Sequence, residues 1–197
     1  MYLDIKEVIK HLPRIAGVEY RPSEIDDVDK VAAVEFWGLT NEHLAVLKQT
    51  IEIQRRYGAY SLTAYLHNKP VAMFGCILMW HGVAELWAVL SKDALKRPVA
   101  LSKCAITFAD ICDISLKLHR LQIHVKSSNE RAVKWGEFLG FDIEGKLIQF
   151  TQDKQDCYIM SRRSYGWRRR WWSSSSSRAA ANAEGRNLEV GSRCRCY

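Results

Sequence analysis

Residues 61–91 constrain the fold most, because they hold three strand-like runs separated by two very short turns. SLTAYLH (61–67) alternates, placing Leu62, Ala64 and Leu66 on one face. Asn68-Lys69 reads as a two-residue hairpin turn. VAMFGCILMW (71–80) is a near-continuous apolar run, the pattern of a strand buried on both faces. His81-Gly82 makes a second tight turn, and VAELWAVLS (83–91) follows as the third strand. Strands joined by two residues must run antiparallel, so a meander is predicted at the centre of the domain.

The flanks switch to helical spacing. DIKEVIKHL (4–12) forms a short amphipathic helix with Ile5, Ile9 and Leu12 on one side, ending before Pro13. VEYRP (18–22) reads as a strand. Ser23 is the expected N-cap of a helix whose first turn is acidic and whose Ile25, Val28, Val31 and Val34 recur by threes. A second helix spans 41–57, with Leu44, Leu47 and Ile51 or Ile53 inward. After the meander, Pro98 opens a helix running to about Ile114, with Leu101, Cys104, Ala105 and Phe108 inward. HRLQIHVKS (119–127) alternates as a strand. Residues 129–139 form a helix closed by Gly140, and 141–150 and 156–162 form a last antiparallel pair. The order β-α-α-β-β-β-α-β-α-β-β predicts an α/β domain with a mixed, mostly antiparallel sheet and helices on both faces. Residues 1–17 are read as an N-terminal helical extension, 18–163 as the domain, and 164–197 as a basic Ser/Arg/Trp tail expected to be disordered.

Charge and cysteine usage narrow the function classes. The chain of 197 residues carries a net charge of +7, but from residue 161 onward there are nine Arg and two Glu, so residues 1–160 are neutral overall and the excess lies at the C-terminal end. A basic isoelectric point therefore does not mark the domain as a nucleic-acid binder. Cys76, Cys104, Cys112 and Cys157 sit in apolar surroundings without ligand spacing, so no metal site is expected, and Cys194-x-Cys196 is a lone pair in the tail. The N-terminus lacks the apolar core of a secretory signal, and no run reaches the roughly 20 residues of a spanning helix, which points to the cytoplasm.

Two segments carry a resemblance. The first is Asn129, Ala132, Trp135 and Leu139-Gly140-Phe141, followed by Glu144-Gly145. The second is Arg97-Pro98-Val99-Ala100-Leu101-Ser102, which overlays a phosphate cradle of the form Arg/Gln-x-x-Gly-x-Gly/Ala at a helix N-terminus. Together with the element order they resemble the GNAT superfamily of N-acetyltransferases. The resemblance implies acetyl-CoA or another acyl-CoA as acyl donor, an amine as acceptor, and a donor site formed by Leu90, Arg97, Val99, Ala100, Leu101, Ser102 and Asn129. Ala100 and Ser102 stand where the cradle has glycines, and Pro98 lacks an N–H.

Acyl transfer to an amine needs a base for the amine and an acid for the leaving thiolate. Glu85, in an apolar strand, is the candidate base; its bland alternative is to pair a cation at the strand's exposed start. The superfamily's usual acid is a Tyr four residues before the Leu-Gly-Phe glycine, and here that residue is Gly136. Tyr158 or Tyr65 could replace it only if the fold brings them in. His119 and His124 are five apart and so face opposite sides of their strand.

A narrower likeness runs through ELWAVLS, KRPVALSK, LHRLQIHV, RAVKWGEFLGF and GKLIQF. This set is similar to GNAT-like phage proteins of the internal virion protein A family of short-tailed phages. That likeness implies a product made in the host bacterial cytoplasm, packaged or used in virion assembly among other phage virion proteins, with degenerate or marginal acyltransferase activity. The alternative is an active acetyl-CoA-dependent N-acetyltransferase acting on an amine of a host or phage molecule. Nucleic-acid binding through the Arg-rich tail rests on charge alone.

Overall fold

The computed structural model describes residues 4–32, 41–57 and 60–163. Val34 and the 164–197 tail, with its three Trp and the Cys194-x-Cys196 pair, lie outside the described residues. The elements are α1 (Ile5–His11), β1 (Val18–Pro22), α2 (Ile25–Ala32), α3 (Asn41–Tyr57), β2 (Ser61–Leu66), β3 (Lys69–Trp80), β4 (Val83–Leu90), α4 (Lys92–Leu95), α5 (Pro98–Ser115), β5 (Arg120–Lys126), α6 (Glu130–Phe138), β6 (Asp142–Leu147) and β7 (Cys157–Arg163). They build one seven-stranded sheet in the order β1-β2-β3-β4-β5-β7-β6, antiparallel everywhere except at the β4–β5 junction. No helix among the described residues is long and apolar enough to cross a membrane.

The meander forms, with one register correction. The first turn is His67-Asn68, not Asn68-Lys69, and Lys69 already pairs with Leu66. A two-residue hairpin turn of this hand needs φ > 0 at both central residues, and His67 (φ 49°) and Asn68 (φ 63°) both supply it. Strand β3 is buried only as far as Cys76, and Trp80 is 61% exposed. The reason is pairing: β2 runs out at Ser61 opposite Gly75, so the end of β3 extends beyond it.

Two layers of helix cover the sheet. On one face α1, α5 and α6 bury Ile5, Val8, Leu12, Leu101, Phe108, Cys112 and Leu139 against Leu62, Phe74, Leu121 and Met160. In α1 the inward residue is Val8 rather than Ile9, which is half-buried. The sequence of α5 is a modest helix former, with Thr, Cys, Ile and Ser inside it. Its length comes from burial, each fully buried Leu or Phe contributing roughly 1.5–3 kcal/mol. Buried Arg162 on β7 donates to Asp110 of α5 and tethers the helix's second half.

On the other face α2 and α3 bury Val28, Leu47 and Ile51 over Met73, with Trp87 and Val89 alongside; Ile53 points out. Ser23 is not the cap of α2. The helix starts at Ile25, and the buried Asp27 carboxylate reaches back to accept the Glu24 N–H at 3.0 Å. Thr63 Oγ1 lies 3.0 Å from both Asp27 Oδ2 and Ser23 Oγ, and the Tyr65 hydroxyl donates to Asp27 Oδ1. This set of bonds fastens α2 to β2.

Farther along the same face the sheet carries polar side chains. Arg120 grips Glu144 with two nitrogens, at 2.6 and 3.0 Å, and Ser161 Oγ donates to the same carboxylate at 2.5 Å. The Arg120 bond, then the Ser161 bond, hold the Glu144 carboxyl below the usual carboxylate range. These contacts tie β5, β6 and β7 together.

Two measurements test this packing. A Cβ on Gly75 would stand 2.1 Å from the Trp87 indole across the β3–β4 pair. Gly75→Ala is therefore expected to lower stability by about 1–3 kcal/mol, read as a lower urea midpoint at unchanged m; an unchanged midpoint would show that Trp87 moves aside freely. A folded carboxyl pKa lying below the unfolded value adds stability at pH values above the unfolded pKa, and that stability is lost as pH falls through the folded one. Glu144→Gln should thus cost on the order of 1 kcal/mol at pH 7, with the gap from wild type closing below about pH 4. A gap that persists at low pH would assign the loss to packing instead.

Candidate active site

The β4–β5 junction sets the site. These parallel strands pair at only three places, Val83 with Arg120, Ala84 with Leu121 and Glu85 with Gln122. Strand β4 continues to Leu90, still paired with β3, and β5 continues to Lys126, still paired with β7. The sheet therefore opens in a wedge whose apex is Glu85 and Gln122. Backbone N–H and C=O groups along the two facing edges are not paired with each other. An extended ligand carrying amides can complete those ladders.

On the α2/α3 face the apex is acidic and aromatic. His124 Nδ1 lies 3.0 Å from Glu85 Oε1, and the two side chains are 17% and 24% exposed. Gln122 Nε2 donates to Glu85 Oε2 at 3.4 Å, while Gln122 Oε1 accepts from Arg120 Nε at 3.0 Å. Phe150, from the β6–β7 connection, stacks on the His124 ring at 4.8 Å and 28°. Lys126, two residues further on this face, is paired with Asp153 at 2.9 Å. His119 stands apart, its ring lying against Gly82 at the β3–β4 turn. Sequence reasoning named Glu85 and His124 separately but not their contact. Glu85 and His124 become neighbours only through the parallel register, and the one available hint was that each faces the polar side of its strand.

On the opposite face lies the start of α5. Four-residue α4, absent from the sequence reading, is capped by Ser91, whose Oγ accepts the Ala94 N–H at 3.2 Å. Arg97 follows as N-cap of α5 without a side-chain cap bond, and Pro98 takes the first helical position. Among the described residues, no side chain caps the first-turn amides. Arg97 and Val99 are exposed, Ala100 is half-buried and Leu101 is buried. Ser102 is turned toward α6, where its Oγ accepts the Trp135 indole N–H at 3.0 Å. Asn129 caps α6, its Oδ1 accepting the Ala132 N–H at 3.1 Å. Leu90 packs on the core beside α5. An apolar hollow lies beneath α4 and the start of α5, walled in part by Ala64, Phe74, Ala94, Ala100 and Cys104. On its wall Tyr20 Oη donates to the Pro13 carbonyl at 3.1 Å and lies 2.8 Å from Cys104 Sγ.

The candidate acids are not brought to the apex. Tyr158 pairs with Val125 and packs on the α6 side of the sheet, opposite the face that carries Glu85. Tyr65 is buried on β2 and bonded to Asp27; burial first, then that carboxylate, push its phenol above the ordinary value. Gly136 is the buried residue of α6, whereas Ala132 and Trp135 are only half-buried, so the packing face expected from Ala132, Trp135 and Leu139 is shifted. A Cβ at Gly136 would stand 3.0 Å from Met160 Cε and 3.2 Å from Ile123 Cδ1. The helix sits too close to β5 and β7 there to admit a tyrosine without moving.

No protein-family model and no curated protein matches the chain. Solved structures do. A spermidine N-acetyltransferase chimera from Vibrio cholerae superposes with a TM-score of 0.62 at 19% identity, over 77% of this chain and 98% of that one. A ribosomal-protein-S5-alanine acetyltransferase from Vibrio fischeri gives 0.61 at 15% identity, over 79% and 97%. Ard1 from Thermoplasma volcanium gives 0.61 at 14% identity, over 75% and 98%. At these identities the likeness is one of architecture: a seven-stranded, mostly antiparallel sheet, split at its parallel junction and flanked by helices, which is the fold of the GNAT N-acetyltransferases.

Proposed function

We propose that this chain binds an acyl-coenzyme A, such as acetyl-CoA, in the β4–β5 wedge and passes the acyl group to an amine. The observation that carries this reading is the position of the apex. The strands part immediately after Glu85, so an acidic side chain with a histidine partner stands where the two edges diverge. The first turn of α5 and the Arg97 guanidinium offer donors and positive charge to a phosphate at the wide end. The unpaired strand edges suit the amides of a pantetheine arm. Val99, Ala100 and Leu101 would contribute through their backbone, and Leu90 through its apolar side chain. Ser102 and Asn129 already spend their side-chain oxygens inside the protein, which limits what they add.

A second reading has its own observation. Gly136 is packed too closely on Met160 and Ile123 to take a tyrosine without movement of α6, Tyr65 is bonded to Asp27, and Tyr158 packs on the face opposite Glu85. That favours a scaffold with lost or marginal catalysis, which is the state that the likeness to phage virion proteins implies.

Ligand binding separates the two. Acetyl-CoA at 100 times its Kd should stabilise the protein by about 2.7 kcal/mol, a rise in melting temperature of roughly 5–10 °C for a domain of this size. No shift at millimolar acetyl-CoA would remove the enzyme reading. A shift without acylation of any amine would leave the scaffold.

A further inference from the structure

We propose that the base of this site is His124, acting through Nε2, and that Glu85 is its positioning residue; this rests on the acyltransfer reading above. Three features of the apex carry the assignment.

The first is the proton on the imidazole. A neutral imidazole has one N–H and one lone pair. Nδ1 lies 3.0 Å from a Glu85 oxygen. A lone pair there would oppose the carboxylate's own lone pairs, so the proton sits on Nδ1 and the free lone pair on Nε2. Among the described residues Nε2 has no protein partner.

The second is the state of Glu85. The Arg120 guanidinium can only donate, so it turns the Gln122 carbonyl toward itself, with Nε–H to Oε1 at 3.0 Å. That leaves the Gln122 amide nitrogen facing Glu85, where it donates to Oε2 at 3.4 Å. One carboxylate oxygen is engaged by His124 and the other by Gln122. A carboxylate held from both sides is suited to orienting an imidazole rather than to collecting a proton itself.

The third is location. Glu85 belongs to the last paired position of the junction, while His124 is on the free wall just beyond it. Phe150 covers one face of the ring and fixes its plane. The other charges nearby are already paired, Arg120 with Glu144 and Lys126 with Asp153.

An acceptor ammonium gives one proton to Nε2. The freed nitrogen lone pair forms a C–N bond to the thioester carbonyl carbon as the C–S bond breaks. The new amide nitrogen loses its surplus proton to the departing thiolate, and the imidazolium returns its proton to solvent.

The test uses the full chain, with acetyl-CoA and two probe acceptors, spermidine and a peptide with an alanyl N-terminus. H124A should lower kcat by about 10²–10⁴-fold with acetyl-CoA affinity unchanged by calorimetry, and added imidazole should restore part of the rate. E85A should lose less, retain the acidic limb of the kcat/KM profile, and gain nothing from imidazole. Rescue of E85A by formate, with H124A near wild type, would assign the base to Glu85 and overturn the proposal. Long-range ¹H–¹⁵N correlation of the His124 ring decides independently of turnover: a proton on Nδ1 in wild type supports the assignment, and a proton on Nε2 overturns it. Failure of the wild type to bind acetyl-CoA is a different result, because it removes the acyltransfer reading and not the tautomer.

Discussion

The incomplete pairing of β4 with β5 is the constraint on which the rest of the site depends. Each backbone hydrogen bond contributes a net of about 0.5–1.5 kcal/mol, so leaving the outer halves of two strands apart forgoes several kcal/mol. That is a sizeable part of a domain's usual margin of about 5–15 kcal/mol. The opening persists because each strand is secured on its outer side. Strand β4 is paired with β3 from Val83 to Leu90, and β5 with β7 from Arg120 to Lys126. Above the opening, the Trp135–Ser102 bond joins α6 to α5, so the helical layer spans the break that the sheet leaves.

Two glycines set the spacing on the two faces. Gly75 lets the Trp87 indole lie flat on β3 under the α2/α3 layer, and Gly136 lets α6 settle onto Met160 and Ile123. Neither glycine has φ > 0, so neither is there for backbone freedom. Each is there because the neighbouring side chain takes the space a Cβ would fill. This gives Gly136 a physical reason that does not refer to catalysis: a larger residue would lift α6 off the strands that form one wall of the wedge.

Much of this architecture was legible in the sequence because it is written in local patterns. The alternation of Leu62, Ala64 and Leu66, the apolar run of β3, Pro98 at the start of α5, and Asn129 and Gly140 bounding α6 each describe one element and the face it buries. The misses are of another kind. The His67-Asn68 turn and the Asp27 reach-back cap depend on backbone angles that composition does not specify. The Glu85–His124 contact depends on the register of two parallel strands separated by two helices. No periodicity encodes such a register, since parallel partners are chosen by how the crossover packs. Residues 97–102 and 129 were found as a motif, yet the motif could not tell that Ser102 and Asn129 would be spent on α6.

The distribution of committed side chains orders the chemistry. Tyr65, Ser102 and Asn129 are candidates in the sequence, and all are bound to partners within the protein. What remains accessible at the apex is a carboxylate held by Gln122 and an imidazole held by that carboxylate. The chain Arg120–Gln122–Glu85–His124 runs from a bidentate ion pair at the closed end of the junction to a ring at its open end. Each member fixes the orientation of the next, because a guanidinium offers only donors and a carboxylate only acceptors. A polar row of this kind stabilises the sheet little, since ion pairs near solvent contribute on the order of 1 kcal/mol or less. Its consequence is direction: it holds the His124 ring at the free wall of the opening.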